Sequence, residues 1–485
     1  SGSLLNAGRR ELHRRAAAWY AGRDPVLHAE HLERADDPAA PRASLAAARS
    51  LAAAYDNERA LPLVRRGIAL ARERADAHAL TCFEGEILHH LGAVPESIAA
   101  YGRALEVADG DAGRCRALSG LAAGMWIIDR YDEAFAALDE AERIATAHGL
   151  TGELARVHFM RGTLCFPLGR LDTCREQHAL ALRFAERAGS PELEAQALGG
   201  LGDAEYARGR MITAHGHFRR CVELCRTHGF GRIEVANLPM AAIARVYGND
   251  PRGALHDALA AVAAAARVGH HRAEIIAHHG VYISSMMMRD GDSGREHAEA
   301  ALALSRRLGA RRFEAESLLF LGEIEHAAGR RAEALRYLRE ALAVSRDAGM
   351  DYMGPCMLGA LARATDDPEE RRAALAEGEA LLAAGSLSHN HLWFRRDAIE
   401  ACLAVGDWDG AERHAAALEA HTLAEPLPWA ELLIARGRAL AAFGRGRRDG
   451  ATLAELSRLR DEAARAELRI ALPALDAALA AAAAE

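Results

Sequence analysis

The side chains best suited to chemistry in this 485-residue chain are a short histidine–cysteine row, a histidine cluster and a methionine triplet. His217, Cys221 and Cys225 stand one helical turn apart, a spacing that can present metal ligands on one helix face. The same slots hold Ala181 and Ala185, or Ala301 and Ser305, in other stretches of the chain. Cysteine there reads as a small core residue. His270, His271, His278 and His279 gather around one helix and suggest metal binding or pH sensing, but their spacing completes no ligand set. Met286-Met287-Met288 reads either as an adaptable surface or as packing.

Other signals fall short of a motif. His28-Ala29-Glu30-His31 lacks the spacing of a zinc-protease helix. Pro355-Cys356 lacks the second cysteine of a zinc deaminase. Residues 444–450, rich in glycine and arginine, follow no strand and read as a connection. No serine elbow with histidine and aspartate is present. All 60 basic residues are arginine. A phosphate loop needs a lysine, and so does Schiff-base chemistry. The expectation is a chain with no catalytic residues, no metal ligands and no cofactor, not an enzyme by itself.

Composition sets the elements behind these residues. The chain is 50% hydrophobic, 26% charged and only 5% aromatic. Alanine, leucine, arginine and glutamate dominate, all strong helix formers. The net charge of −8 and the lack of a basic stripe exclude a nucleic-acid backbone as partner. No apolar run reaches membrane length, and no signal peptide opens the chain. The eight cysteines are scattered without CxxC spacing, as reduced thiols in the cytoplasm would be. Ser1-Gly2-Ser3 reads as a cloning remnant.

A repeat organises the rest. Gly149, Gly189, Gly229, Gly269, Gly309 and Gly349 recur every 40 residues, each where a helix should end in a left-handed residue. Within 315–349, Leu318, Leu321-Gly322, Gly329, Ala334, Leu338 and Ala341 follow the offsets of the tetratricopeptide repeat. Leu198, Leu201-Gly202, Gly209, Ala214, Phe218 and Cys221 repeat them, as do Leu118, Leu121-Ala122, Ala134, Leu138 and Ala141. The usual unit has 34 residues, so the second helix of each pair is expected to be extended by more than a turn. The fold class is all-α: a tetratricopeptide-like solenoid, a right-handed superhelix of ten or eleven antiparallel helix pairs in 37- to 40-residue units. Three segments are expected: a lead-in helix pair at 1–38, the repeat array at 39–384, and divergent repeats with a cap at 385–485. The alanine tail from 477 is expected to fray.

The first helix of each pair lines the concave face of such a solenoid. The register places there His89, Trp126, Phe166, Tyr206, Met286 and His326, with Arg156, Phe159, Asp203, Ile243, His279, Glu316 and Glu323 beside them. Two readings stand together: a ligand groove with aromatic anchors, or packing between neighbouring first helices. Trp393, Phe394, Trp408 and Trp429 form a second candidate, a docking surface where the repeat is least regular.

Ser388-His389-Asn390-His391-Leu392-Trp393-Phe394-Arg395-Arg396-Asp397, Gly406-Asp407-Trp408-Asp409, Glu425-Pro426-Leu427-Pro428-Trp429 and, at the start, Arg10-Glu11-Leu12-His13-Arg14-Arg15-Ala16-Ala17 with Trp19 carry a resemblance. So do Arg23-Asp24-Pro25 and Ala29-Glu30-His31-Leu32. The chain resembles the C-terminal repeat region of bacterial class III adenylate/guanylate cyclases, which join a cyclase domain to an AAA- or STAND-type ATPase and then to these repeats. The resemblance implies a regulatory module binding a protein, a peptide, another part of the same parent or a small molecule. It implies no active site here. A scaffold for self-association or intramolecular docking, and the sensor of a LuxR-type transcription regulator, are the alternatives.

Overall fold

The computed structural model describes residues 2–484, with side chains from Asn6 onward; Ser1, of the expected cloning remnant, and Glu485, of the alanine tail, lie outside them. The described residues form 25 α-helices and two short 3-10 turns, with no strand. No helix among them is long and apolar enough to cross a membrane.

The repeat's small residues work by close approach. A methyl placed on Gly322 of the helix Arg311–Ala327 would stand 2.8 Å from Leu338 Cγ on Arg331–Ala348, and one on Gly202 would stand 2.5 Å from Phe218. These glycines are therefore the holes into which the next helix's large side chain fits. The 40-residue glycines all have positive φ; Gly189 and Gly309 cap their helices in the left-handed region at φ 61° and 65°. Gly349 departs to φ 111°, where the 350–353 turn interrupts the period. The extra residues of the long unit lengthen both helices, 17 and 18 residues in the pair named above, rather than the second alone.

The lead-in helices Gly2–Tyr20 and Pro25–Arg34 are joined through Asp24, whose carboxylate accepts from the N–H groups of Val26 and Leu27 at 3.0 Å each. That is an N-terminal cap. The alanine tail is helical as Leu472–Ala484, not frayed, because Leu475 is fully buried in the core.

The chain divides into two compact units. Unit 1 comprises residues 1–200 with 227–232, and unit 2 comprises 201–226 with 233–485. Unit 1 returns on itself: Arg232 stacks over the Tyr55 ring at 5.5 Å. Unit 2 has one large core that joins Met211, Tyr247 and Tyr282 to Trp429, Leu456 and Leu475.

Candidate functional site

In unit 2 the helices expected to line the groove meet the chain's own later repeats. Tyr247 follows the helix Gly231–Val246 and is almost fully buried. Its phenol oxygen accepts from the indole Nε1 of Trp393 at 2.9 Å, and its carbonyl accepts from the Trp429 N–H at 3.2 Å. The Trp429 ring lies edge-on to Tyr247 at 5.6 Å and Trp393 lies 5.1 Å from Trp429. Glu425 caps the helix Met211–His228 from a distant point in the chain: its carboxylate accepts from Ile212 N at 2.8 Å and from the Thr213 N–H and hydroxyl. Arg252 clamps Glu467, with Nε to Oε2 at 2.6 Å. A methyl on Gly209 would collide with Ser388 Oγ, so only glycine lets the two segments meet there.

A buried charge quartet braces this closure. Arg396 donates to Asp397 Oδ1 through Nε at 3.0 Å and Nη2 at 2.7 Å, and also binds Glu323. Arg363 donates to Glu323 Oε1 at 2.8 Å, and Tyr282 donates to Glu323 Oε2 at 3.0 Å. Burial pushes the Glu323 carboxyl up, but Arg396 and Arg363 prevail and hold it below the usual range. The Arg396 guanidinium also lies over the Trp393 ring at 4.7 Å.

The predicted residues of this unit divide accordingly. Tyr206 is half-buried between Tyr247 at 6.5 Å and His389 at 6.0 Å. Ile243 belongs to the core. His279 is buried, its Nδ1 3.2 Å from Glu316 and its Nε2 2.9 Å from Ser317 Oγ. The Met286 sulfur lies 3.1 Å from the Tyr282 phenol oxygen, whose proton goes to Glu323. Half-buried His326 is lowered to about 4 by burial, with Arg363 adding to it. Asp203 keeps an exposed side chain but is enclosed by protein, and this desolvation raises it to about 6 against the pull of Arg272. Phe394 is fully buried against Leu382 and Ala398, while Trp408 is half-buried beside Cys402 and Ala441. Trp393 and Trp429 are the two that face Tyr247. Cys221 and Cys225 are fully buried. Among the described residues no three metal-ligating side chains meet.

Among the described residues, the register positions of unit 1 meet no such later repeats. Trp126 opens a 3-10 turn and packs against the Leu118 and Leu138 cluster. Phe159 lies 5.5 Å from the His178 ring, and Phe166 is half-buried at the end of Thr151–Cys165. Glu86 keeps an exposed side chain but has protein around it; this desolvation and then Glu192 weaken its acidity, against the pull of Arg232, Arg49 and Arg156. Among the described residues no ion pair or hydrogen bond closes on the side chains of Glu86, Arg49 or Arg232. Three buried polar atoms here lack a partner: His89 Nδ1, Arg156 Nε and Arg232 Nη1. Unit 2 holds such atoms as well, Arg363 Nε, His389 Nδ1 and Arg395 Nε among them. Sequence reading named Arg156 and His89 through the register. It missed Arg49, Glu86 and Arg232, because no periodic position brings residue 232 back to residue 55. A separate surface cleft of about 690 Å³, lined by Leu423, Ile434, Arg438 and Glu455 among others, holds none of the predicted residues.

A tetratricopeptide repeat family model matches residues 283–347. A solved Rap protein, complexed with competence and sporulation factor, is similar with TM-score 0.56 and 14% identity, covering 72% of this chain and 98% of that one. A signal transduction ATPase with numerous domains, carrying a tetratricopeptide repeat sensor, from Pyrococcus horikoshii is similar with TM-score 0.50 and 12% identity. That likeness covers 69% of this chain and 52% of that one, so this chain spans about half of the ATPase's length. No curated relative matches the sequence. At such identities the likeness shows the fold: an all-α, tetratricopeptide-like solenoid.

Proposed function

We propose that this chain is a non-catalytic regulatory module that takes a peptide or protein segment on the inner face of unit 1. The observation that carries this reading is the contrast between two inner faces. In unit 2 the groove positions are spent on the chain's own repeats. In unit 1, among the described residues, the side chains of Glu86, Arg49 and Arg232 form no ion pair or hydrogen bond, and the register positions Phe159 and Phe166 are half-buried. Rigid aromatics with a few placed polar groups are what such a site requires. Two proteins of the same fold support it: one was solved with competence and sporulation factor, and the other carries its repeats as a sensor. In this reading the module acts on an effector in the same parent protein, of the ATPase and cyclase type that residues 388–397 and 425–429 resemble, in the cytoplasm. A LuxR-type regulator is the alternative parent.

Selection of a displayed random decapeptide library on the full chain tests this. Enriched peptides should bind the Arg156→Ala/Phe166→Ala variant at least about tenfold more weakly, with its helical circular dichroism unchanged. No enrichment, or equal binding by that variant, rejects the reading.

The closure of unit 2 favours a second reading. The Trp393–Tyr247–Trp429 contact and the Glu425 cap suit an intramolecular docking scaffold without a ligand of its own. A full chain that binds no library peptide would leave this one standing.

A further inference from the structure

We infer that this chain associates head to tail with further copies of itself, the outer face of the helix Gly2–Tyr20 of one copy seating in the surface cleft of unit 2 of the next. This contact is separate from the peptide groove proposed above and uses none of its residues.

The helix Gly2–Tyr20 packs on Pro25–Arg34 through one face. Ala17 is buried there, with its carbonyl 2.9 Å from His28 Nδ1. His13 and His31 meet at 2.9 Å, and Tyr20 stacks on His31 at 5.5 Å. At 3.6 residues per turn, Leu12, Ala16 and Trp19 form a stripe on the far side. Leu12 is 65% exposed and Trp19 is 59% exposed. Arg23 lies over the Trp19 ring at 4.5 Å and donates to the Trp19 carbonyl at 2.9 Å, which fixes the end of the stripe. Arg9 and Arg15 flank it, one on each side. Arg10 is taken by Asp36 and Arg14 by Glu11, whereas Arg9 and Arg15 form no ion pair among the described residues. These are the i, i+4, i+7 anchors of a helix that lies in a groove, with tryptophan as the residue best suited to hold it there.

The cleft of about 690 Å³ has the complementary features. Ala435, Ala439 and Ala442, from one face of Pro428–Gly444, line it with small side chains. Inside the repeat, small residues such as Gly322 receive a large side chain from the next helix. Here the space opens at the surface. Leu423, which is 76% exposed, and exposed Pro426 extend its apolar rim. Of the charges that line it, Arg438 is held by Glu412 and Glu419 at 2.8–3.0 Å, Arg447 lies 3.5 Å from Asp449, and Glu455 pairs with Arg458 at 2.7 Å. Glu431 is exposed and forms no ion pair among the described residues.

Each surface lacks what the other offers. Bulky apolar side chains meet small ones, and unpaired arginines meet an unpaired carboxylate. Pairing like with like fails. Two stripes set the same unpaired arginines against each other, a costly juxtaposition, and two clefts leave their hollows without contact. The contact therefore joins different surfaces, and because each copy carries both, it extends from copy to copy.

Sedimentation velocity of the full chain over a wide concentration range tests this. Two variants accompany the wild type: Leu12→Ala/Trp19→Ala, which removes the stripe, and Leu423→Arg/Glu431→Arg, which places positive charge at the cleft. All four positions are exposed, so both variants should keep the wild-type melting temperature. The wild type should form species that grow with concentration. Each variant alone should stay monomeric, and an equimolar mixture of the two should stop at a 1:1 complex, because one intact stripe and one intact cleft remain. A wild type that is monomeric at every concentration overturns the inference. Wild-type association that the mixture does not restore makes the contact symmetric and overturns it too, as does either variant associating like the wild type. Should either variant lose melting temperature, the single variants Trp19→Ser and Glu431→Arg replace them and are read in the same way.

Discussion

The Trp393 indole donates its N–H to the phenol oxygen of Tyr247 at 2.9 Å, a hydrogen bond that spans 146 residues of chain. It is the centre of the aromatic group through which unit 2 closes on itself. An indole N–H buried in such a group must find an acceptor, and Tyr247 is placed to be one.

Trp429→Ala removes the largest fully buried side chain of the chain. It should lower the unfolding free energy of unit 2 by about 3–5 kcal/mol. Tyr247→Phe keeps the ring but strands the Trp393 donor, a cost of about 1–3 kcal/mol. Urea titration followed by tryptophan fluorescence reads both. A loss below about 0.5 kcal/mol for Trp429→Ala would mean the closure does not hold unit 2 together.

Glu425→Ala should loosen the start of the helix Met211–His228. The Ile212 and Thr213 N–H groups lose their acceptor, and a lost N-terminal cap costs about 0.5–2 kcal/mol. Hydrogen exchange at Ile212 and Thr213 should quicken in this variant and stay unchanged at Gly253, capped locally by Asp250. Unaltered exchange at Ile212 rules out the long-range cap.

These contacts show what was legible in the sequence. The packing register was: Gly322 against Leu338 and Gly202 against Phe218 lie where the repeat offsets put them, because neighbouring helices pair locally. The closure was not. Ile212 and Glu425 stand 213 residues apart, and no period connects them. Residues 388–397 and 425–429 stood out as a family signature, yet Ser388, Trp393, Glu425 and Trp429 turn out to be closing contacts. The aromatic row was partly legible. The register alone does not separate positions filled by the chain's own later repeats, as at Tyr206, from positions such as Arg156 whose neighbours carry no such contact.

Arg396→Met should destabilise unit 2 by about 3–5 kcal/mol, because it leaves Asp397 and Glu323 buried with only Arg363 between them. Combining it with Asp397→Leu and Glu323→Gln should restore part of that loss. A triple variant less stable than the single one by the full sum of its parts would show that the four charges are not coupled.

Acid should destabilise unit 2 through its buried histidines, against the opposite contribution of Asp203, which desolvation raises to about 6. His391 and His421 stack at 4.2 Å, and His414 accepts from Arg395 Nη1 at 2.9 Å. All three are held to about 4, by burial first and then by charged neighbours: Arg395 for His391 and His414, His391 for His421. The unfolded chain takes up protons near 6.5, so it binds more protons than the native state between about 6.5 and 4. Stability is therefore full above that window and falls as pH drops through it. Melting temperatures measured at pH 7.5, 5.5 and 4.5 should decline in order, and His391→Gln with His421→Gln should flatten the decline. A melting temperature constant from 7.5 to 4.5 contradicts this.

The division of labour between the two inner faces is the core of the account, and one titration tests it. A library-selected peptide is titrated into the wild-type chain, Arg232→Gln and Tyr247→Phe under one buffer. Affinity should fall at least about tenfold for Arg232→Gln and stay within about twofold for Tyr247→Phe. A peptide that loses affinity with Tyr247→Phe and keeps it with Arg232→Gln would place recognition in unit 2 and contradict the account.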